Sequence, residues 1–374
     1  MMDRKRPSPS VGPRCTLRAA VLLFAFSTFL PACDAVGSSE TEAEFWTRME
    51  AYVTEHMDPA GSGFGFVVIH DGAVAFARGW GMANIGTSIS FSPETPSSAA
   101  SLTKQFTAVA VLILYERELL DLETPVLSIL PELPTAWSEI TVHHLLTHQS
   151  GVPNYTDITG DAPVDIDGLT NQDALDLVLA DPALDFQPGL STSYSNTGYV
   201  LLAMIVERLT NLSFADFLGE NIFEPLEMTS TFVSDESVVY PLNTAQPYDE
   251  RNRLYEYTLY TYGAGGIYTT LNDYVKWDRA LYTDDVVRQS TLELAFTGYT
   301  GGDDDFGYGW MVGSHGGSRS LRHGGFGTGY LNYVYRVPDK RFTYLFLSNG
   351  GVFANDGFET WTDELMDEIF DFYM

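Results

Sequence analysis

The chain has 374 residues, 45% of them hydrophobic, which is enough to bury a large core in one or two domains. Its 50 acidic residues outnumber its 20 Lys and Arg residues, so the formal net charge is −30 at pH 7. Such an acidic surface repels nucleic acid and anionic lipid head groups, and we predict no nucleic-acid partner.

Residues 1–32 are predicted to be a secretory signal. Residues 1–18 carry five Lys and Arg residues and one acid, and residues 19–32 form an apolar stretch that is too short to span a bilayer comfortably. The stretch ends in Leu30-Pro31-Ala32-Cys33, which resembles the bacterial lipoprotein cleavage box, where the cysteine becomes the lipidated first residue. We therefore predict an exported protein in the periplasm or at the cell surface, anchored through Cys33. The alternative is ordinary cleavage near Ala35, which would give a free protein.

The mature chain can form no intrachain disulfide, because its other cysteine, Cys15, lies in the leader. The folded core must therefore supply the stability. Removing residues 1–32 takes away five basic residues and one acid, and the formal net charge falls from −30 to −34. Attachment to a membrane would then depend on the lipid. We predict a short tether at 33–39 and a folded domain at 40–374.

The folded domain is predicted to begin with a surface helix and a hairpin. Residues 40–57 favour a helix that buries one apolar side, made of Phe45, Trp46, Met49 and Val53. Residues 64–69 and 73–79 favour two strands, joined by a tight turn at Asp71-Gly72.

Ser101 and Lys104 stand three residues apart at the start of a long apolar run, residues 108–114. On a helix this spacing places both side chains on one face. Pro93 and Pro96 favour an extended approach, so we predict that the helix begins near Ser101, among unpaired backbone N–H groups that favour an oxyanion. A lysine at the mouth of an apolar helix loses hydration, its pKa falls, and it can accept a proton from serine. The alternative is a chance spacing with a solvated lysine, but the chain has only four lysines.

The middle of the chain, about 125–260, is predicted to be mostly helical. Residues 119–134 favour a winding surface connection, and residues 141–151 a short helix that ends on glycine. Further helices are predicted at 171–180 and 198–209. Three histidines in the 141–151 segment could be metal ligands, but no Cys or well-placed acid accompanies them, so we predict packing or capping roles and no metal. They are His143, His144 and His148.

Past residue 260 the sequence favours glycine-rich strands and a last amphipathic helix. The strands are predicted at 308–310, 331–337 and 341–347, and the helix at 359–372. The fold class that follows is α+β. An antiparallel sheet built from both chain ends, about 40–124 and 261–374, is flanked by helices, with a helical lobe at about 125–260 inserted and a cleft where the lobes meet.

Two further motifs complete the one that begins at Ser101. Tyr194-Ser195-Asn196 follows a Pro-Gly turn, and His323-Gly324-Gly325-Phe326 carries paired glycines that let a strand approach a ligand closely. In this order and spacing the three motifs resemble the serine β-lactamase and penicillin-binding-protein superfamily, in its class C and DD-peptidase-like branch. The resemblance covers six segments: 100–108, 144–155, 186–202, 223–226, 263–277 and 323–330.

The resemblance implies a serine hydrolase that forms an acyl-enzyme on a small-molecule or peptide substrate and needs no cofactor. Ser101 would be the nucleophile and Lys104 its base. Tyr194 would shuttle the proton, given a pKa lowered by nearby cationic character. Asn196, His323 and Gly325 would bind substrate, and the backbone N–H groups of Ser101 and Phe326 would form the oxyanion hole. The alternative is a penicillin-binding or sensor protein without turnover. The sequence leaves the oligomeric state open.

The third motif begins with histidine, where class C enzymes have lysine. An imidazole is only fractionally charged near neutral pH, so His323 favours a carboxypeptidase, aminopeptidase or esterase over an efficient β-lactamase. If His323 holds a substrate carboxylate, activity on such substrates is expected to fall as the pH rises through the imidazole pKa.

Overall fold

A seven-stranded antiparallel sheet forms the centre of the fold. The structure is a computed structural model that describes residues 40–161, 168–256, 260–302, 305–327, 329–350 and 358–374, so the predicted leader and Cys33 lie outside the described residues. The strands are β1 (Phe64–His70), β2 (Ala73–Trp80), β3 (Met82–Asn84), β4 (Ile89–Ser90), β5 (Ser97–Ser98), β6 (Phe232–Val233), β7 (Ile267–Thr269), β8 (Asp305–Phe306), β9 (Met311–His315), β10 (Ser318–Gly327), β11 (Tyr330–Val337) and β12 (Phe342–Ser348).

Helices pack on the sheet and fill the middle of the chain. They are α1 (Glu42–His56), α2 (Thr103–Glu116), α3 (Val126–Ile129), α4 (Val142–Leu146), α5 (Tyr155–Asp161), α6 (Asn171–Leu179), α7 (Asn196–Thr210), α8 (Phe214–Leu218), α9 (Leu271–Ala280), α10 (Gln289–Ala295) and α11 (Phe358–Tyr373). Short 3-10 turns lie at Ala100–Leu102, Thr135–Trp137 and Pro338–Lys340, and a π-helical turn at Gly219–Phe223. Across the described part of the chain, no helix is long and apolar enough to cross a bilayer.

The sheet joins the two ends of the domain. Its strand order is β2-β1-β12-β11-β10-β9-β8, and β1 pairs antiparallel with β12 from Phe64 opposite Ser348 to His70 opposite Phe342. Helices α1 and α11 pack on one face, where Phe45 stacks on Phe372. The predicted mixed fold, with an antiparallel sheet built from both chain ends, is confirmed. Glu42–Met374 form one compact unit, and the boundaries of the two lobes within it stay a prediction.

The first three predicted elements are confirmed. Helix α1 buries the four apolar side chains expected on one side. Asp71 and Gly72 join β1 to β2 with φ values of 51° and 75°, as a tight hairpin turn requires. Helix α2 is buried from Thr103 to Leu114, so its apolar run lies in the core.

Two segments differ from the sequence prediction. Residues 119–134 are not a surface connection, because they contain α3 and bury a row of apolar side chains: Leu120, Leu122, Val126, Ile129, Leu130 and Leu133. Residues 308–310 are not a strand, and β9 begins only at Met311. Gly309 has φ of 76° and comes so close to α2 that a Cβ atom would lie 2.6 Å from the Lys104 carbonyl oxygen. The chain must bend there to pass the helix.

Candidate active site

Ser101 lies on a strained turn at the start of the buried helix. It is the middle residue of the 3-10 turn Ala100–Leu102, and α2 follows directly. Ala100 has φ of 46°, a left-handed conformation that costs a non-glycine residue about 1 kcal/mol or more. The Ala99 N–H donates to the Ile267 carbonyl oxygen at 2.8 Å, and this contact helps to fix the turn. Ser101 on this turn is partly exposed and lies beside the buried Lys104.

The Lys104 amine is fully buried and has three polar neighbours. Its Nζ lies 2.9 Å from Asn196 Oδ1, 2.8 Å from the Ala264 carbonyl oxygen and 3.3 Å from Ser101 Oγ. None of these groups carries a formal charge. Burial therefore holds the pKa of Lys104 well below its ordinary value, the direction expected from the sequence.

The neighbours of Lys104 also fix the direction of its lone pair. A neutral amine has two N–H bonds, and two of the three neighbours, an amide oxygen and a carbonyl oxygen, can only accept. When the lysine is unprotonated, it can donate both of its N–H bonds to Asn196 and Ala264. Its lone pair is then left for Ser101, the one of the three neighbours whose hydroxyl can donate.

Tyr194 flanks the same amine. The centre of its ring lies 4.7 Å from Lys104 Nζ, and its phenol forms a hydrogen bond with Ser101. Burial raises the pKa of Tyr194 by more than this hydrogen bond lowers it. The lowered pKa on which the expected role of Tyr194 depends is therefore not found in the free site. Tyr194 is a neutral phenol in the resting site.

The turn that carries Tyr194 is anchored by the helix that follows it. Ser195 is the N-cap of α7, and its hydroxyl accepts the Gly198 N–H at 3.2 Å. The Asn196 N–H donates to Asn154 Oδ1 at 3.0 Å, and the Asn196 amide donates to Thr156 Oγ1 at 3.4 Å. The amide oxygen of Asn196 is thereby turned toward Lys104. Helix α7 begins at Asn196, two residues earlier than the predicted start at residue 198.

His323 is buried on β10, and its imidazole is neutral. Its Nδ1 lies 2.6 Å from the Gly324 carbonyl oxygen, so Nδ1 carries the hydrogen and Nε2 is left as an acceptor. Burial, and then the nearby Lys104, lower the pKa of His323 to about 3. The partly charged imidazole on which the expected pH dependence relies is therefore absent near neutral pH.

Gly325 lets β10 approach the nucleophile turn. A Cβ atom on Gly325 would lie 2.7 Å from the Ala99 carbonyl oxygen, and one on Gly327 would lie 3.6 Å from Ala100 Cβ. Phe326, between these glycines, lies in the strand segment beside the turn, and its side chain is 56% exposed. Strand β9 pairs with β10 only as far as Arg322, so it does not cover this segment. The backbone of Phe326 is thus carried by a strand that packs against the Ser101 turn.

The structure adds residues that the motifs did not indicate. The Ala264 carbonyl and Asn154 position the lysine and the asparagine, and the Tyr199 ring lies 5.4 Å from Lys104 Nζ. His148 lies against Tyr194, with ring centres 4.5 Å apart. The glycine-rich stretch at 263–266 and the 144–155 segment were noted for their resemblance, but no local pattern assigns these contacts.

The three histidines of the 141–151 segment have separate partners. His143 Nδ1 lies 2.8 Å from the Tyr308 hydroxyl, and His144 completes a capping box with Thr141 at the start of α4. Helix α4 ends at Leu146, earlier than the predicted glycine. Among the residues that the structure describes, no three His, Cys, Asp or Glu side chains are grouped as around a metal ion.

The chain matches known proteins over most of its length. The Beta-lactamase family profile matches residues 49–365. A penicillin-binding protein from Bacillus subtilis is 34% identical over 275 residues, which cover 67% of this chain and 60% of the relative. A D-aminopeptidase from Gluconobacter oxydans is 28% identical, over 82% of this chain and 59% of the relative. The chain thus spans about 60% of the length of these curated relatives.

Solved structures show the same fold. The octameric penicillin-binding protein homologue from Pyrococcus abyssi has a TM-score of 0.70 and 28% identity, over 82% of this chain and 73% of that one. The D-amino acid amidase from Ochrobactrum anthropi has a TM-score of 0.75 and 23% identity, over 88% and 99% of the two chains. The chain belongs to the Beta-lactamase family of serine hydrolases, whose members include its penicillin-binding-protein and D-aminopeptidase relatives.

Proposed function

We propose that this protein is an exported serine hydrolase that cleaves amide or ester bonds through an acyl-enzyme on Ser101. The observation that carries the proposal is the fully buried Lys104 amine, whose Nζ lies 3.3 Å from Ser101 Oγ and whose pKa is lowered by burial. A binding protein that only recognises a ligand has no need of such a base beside a serine. Family membership and the D-aminopeptidase relatives support the same chemistry.

In the proposed acylation, Lys104 Nζ takes the Ser101 proton as Oγ attacks the substrate carbonyl. The backbone N–H groups of Ser101 and Phe326 stabilise the oxyanion. The new ammonium is stabilised by Asn196, the Ala264 carbonyl and the adjacent tyrosine rings. The cost of burying this charge falls as the oxyanion forms, since the two charges develop together.

Tyr194 completes the proposed proton transfer. Its phenol is neutral at rest, and an ammonium on Lys104 lowers its pKa in the intermediate. The phenol then donates its proton to the leaving nitrogen or oxygen and regains one from Lys104. In the second half-reaction the same groups take a proton from water, and the resulting hydroxide releases the acyl group while Ser101 Oγ is reprotonated.

The charge state of the site favours substrates without a carboxylate beside the scissile bond. Burial lowers the pKa of Lys104, and it lowers the pKa of His323 to about 3, so that the neutral imidazole presents Nε2 as an acceptor. An acceptor suits a substrate N–H or ammonium better than a carboxylate. We therefore propose amino-acid amides, N-terminal peptide bonds and uncharged esters, in preference to the carboxylate-bearing β-lactams.

The proposal is tested by intact-mass spectrometry of the domain at 40–374 after incubation with a fluorophosphonate and, separately, with a penicillin. We expect one fluorophosphonate adduct in the wild type, no adduct in Ser101→Ala, and slow or absent penicillin acylation. Folded wild-type protein that gives no adduct with either reagent would instead support the penicillin-binding or sensor alternative with a dead serine. A rapidly cleared penicillin would contradict the proposed substrate class.

We also propose that the protein is anchored in a membrane through a lipid on Cys33. The support is the Leu30-Pro31-Ala32-Cys33 sequence at the end of the apolar leader. Expression of the full chain in a bacterial host should place the wild type in the membrane fraction with a modified N-terminal cysteine, and Cys33→Ser in the soluble fraction. Equal distribution of the two proteins would rule the anchor out.

A further inference from the structure

His148 lies behind Tyr194 in a strained and fully enclosed position. Its φ is 59°, which is uncommon for a residue other than glycine, and its side chain is 2% exposed. The ring lies 4.5 Å from that of Tyr194 at an angle of 32°, 5.2 Å from Tyr199 and 4.9 Å from Phe306. The strained backbone at His148 thus places its imidazole against the Tyr194 phenol.

His148 also holds the backbone on both sides of Tyr194. Its Nδ1 accepts the Ser195 N–H at 3.1 Å, and its carbonyl oxygen accepts the Ser193 N–H at 3.0 Å. Nδ1 can accept only when it is unprotonated, so this bond requires a neutral ring. Burial and the neighbouring Lys104 lower the pKa of His148 well below its ordinary value and keep the ring neutral.

We propose that His148 is the positioning residue for Tyr194: its ring and its two hydrogen bonds hold the phenol where it can pass a proton to the leaving group. Loss of the ring leaves Tyr194 free to turn on the side where the imidazole now packs. This inference rests on the proposed hydrolysis and adds a residue that none of the three motifs contains.

The test compares two substrates whose leaving groups differ in their need for a proton. An amine must be protonated as it leaves, whereas p-nitrophenolate leaves without a proton, so a misplaced proton donor harms amides far more than activated esters. The probes are D-alanine p-nitroanilide and p-nitrophenyl acetate, and the quantity compared is kcat/KM, which for these substrates reports steps up to acylation.

The informative variant is His148→Asn. Asparagine tolerates the left-handed backbone and its side-chain oxygen can accept the Ser195 N–H, so the change removes mainly the ring. We expect kcat/KM to fall about tenfold on the anilide and less than threefold on the ester. The matched control is His143→Asn, which removes an imidazole from the same segment and should change the ratio of the two activities by less than twofold.

A double-mutant cycle separates positioning from structural damage. In a Tyr194→Phe background the phenol is already absent, so His148→Asn should lower anilide activity by less than threefold. An equal loss in both backgrounds, or an equal loss on both substrates, would overturn the assignment. Thermal unfolding of each variant sets an assay temperature at which all are folded.

The proposed function and the role of His148 fail in different ways. Wild-type protein that cleaves neither probe and takes no fluorophosphonate would remove the hydrolase proposal and the positioning role with it. Wild-type protein that cleaves both probes while His148→Asn is unchanged would remove only the positioning role.

Discussion

Lys104 in the site and Arg336 in the sheet are both fully buried, yet their pKa values are shifted in opposite directions. Lys104 meets an amide oxygen, a carbonyl oxygen and a hydroxyl, and burial lowers its pKa. Arg336 is also penalised by burial, but its Nε donates to Asp278 Oδ1 at 2.7 Å and the net effect is a raised pKa. The surroundings of the two side chains differ mainly in the Asp278 carboxylate, which contacts Arg336.

The difference shows how one fold can hold a base and an ion pair at similar depth. Asp278 also accepts from the Thr343 hydroxyl at 2.7 Å, and the Tyr282 ring lies 4.7 Å from the Arg336 guanidinium. The carboxylate keeps that cation charged, although its two terminal nitrogens have no hydrogen-bond partner among the described residues. Around Lys104 no carboxylate offsets the burial, so the pKa of the amine falls and the amine is better able to take a proton.

The largest expected effect comes from replacing Lys104 with arginine, so that it carries the same side chain as Arg336. In Lys104→Arg the guanidinium cannot release its proton, so fluorophosphonate labelling of Ser101 should slow by about 10⁴-fold. Lys276→Arg is the matched control, since Lys276 pairs with Asp273 outside the site, and it should label at the wild-type rate. Labelling of folded Lys104→Arg within tenfold of the wild type would show that lysine is not the base.

The converse change removes the carboxylate from the ion pair of Asp278 and Arg336. Asp278→Asn leaves a buried guanidinium without its counter-ion, and the free energy of unfolding in a denaturant titration should fall by about 3–5 kcal/mol. Replacing both partners, as Asp278→Leu with Arg336→Met, should cost less than the single change. A single change that costs no more than the double one would mean that the pair contributes nothing as a pair.

His323, a third buried basic side chain, is expected to make the free energy of unfolding depend on pH. Its pKa is about 3 in the folded protein and about 6.5 when unfolded, so the unfolded state binds more protons between these values. Stability from this residue is complete above pH 6.5 and is lost as the pH falls. Between pH 7 and pH 5 the wild type should lose about 2 kcal/mol more unfolding free energy than His323→Asn. Parallel losses would show that the imidazole titrates normally.

The smallest expected effect concerns the turn that aims Asn196 at the lysine. Ser195→Ala removes the N-cap of α7 and should cost about 1 kcal/mol of unfolding free energy, together with some activity. Thr170→Ala removes the equivalent cap of α6, away from the site, and is the matched control. It should cost similar stability and leave kcat/KM unchanged. Equal activity in the two variants would show that the cap does not position the site.

Much of the fold and the core of the site follow from local sequence. The spacing of Ser101 and Lys104 predicts a shared helix face, and the apolar run after them predicts burial. The pattern at residues 40–57 and the Asp-Gly turn predict α1 and the first hairpin. These signals are local because each depends on residues within a few positions of one another.

The remainder depends on contacts between distant segments. The Ala264 carbonyl reaches Lys104 from 160 residues away, and no side-chain pattern identifies a backbone oxygen as a partner. The raised pKa of Tyr194 could not be predicted, because the sequence does not show how deeply the phenol is buried. His148 was weighed only as a metal ligand or as a packing or capping residue, since its contact with Tyr194 arises when α4 and α7 pack together.

The pairing of β1 with β12 makes the site depend on distant parts of the chain. The nucleophile turn comes early in the sequence, but the strand that packs on it, β10, and the strand that ties β1 into the sheet, β12, come much later. A chain truncated before β10 would keep Ser101 and Lys104 without the strand that completes the site. Such a truncation is therefore expected to abolish the proposed hydrolysis even though both residues of the first motif remain.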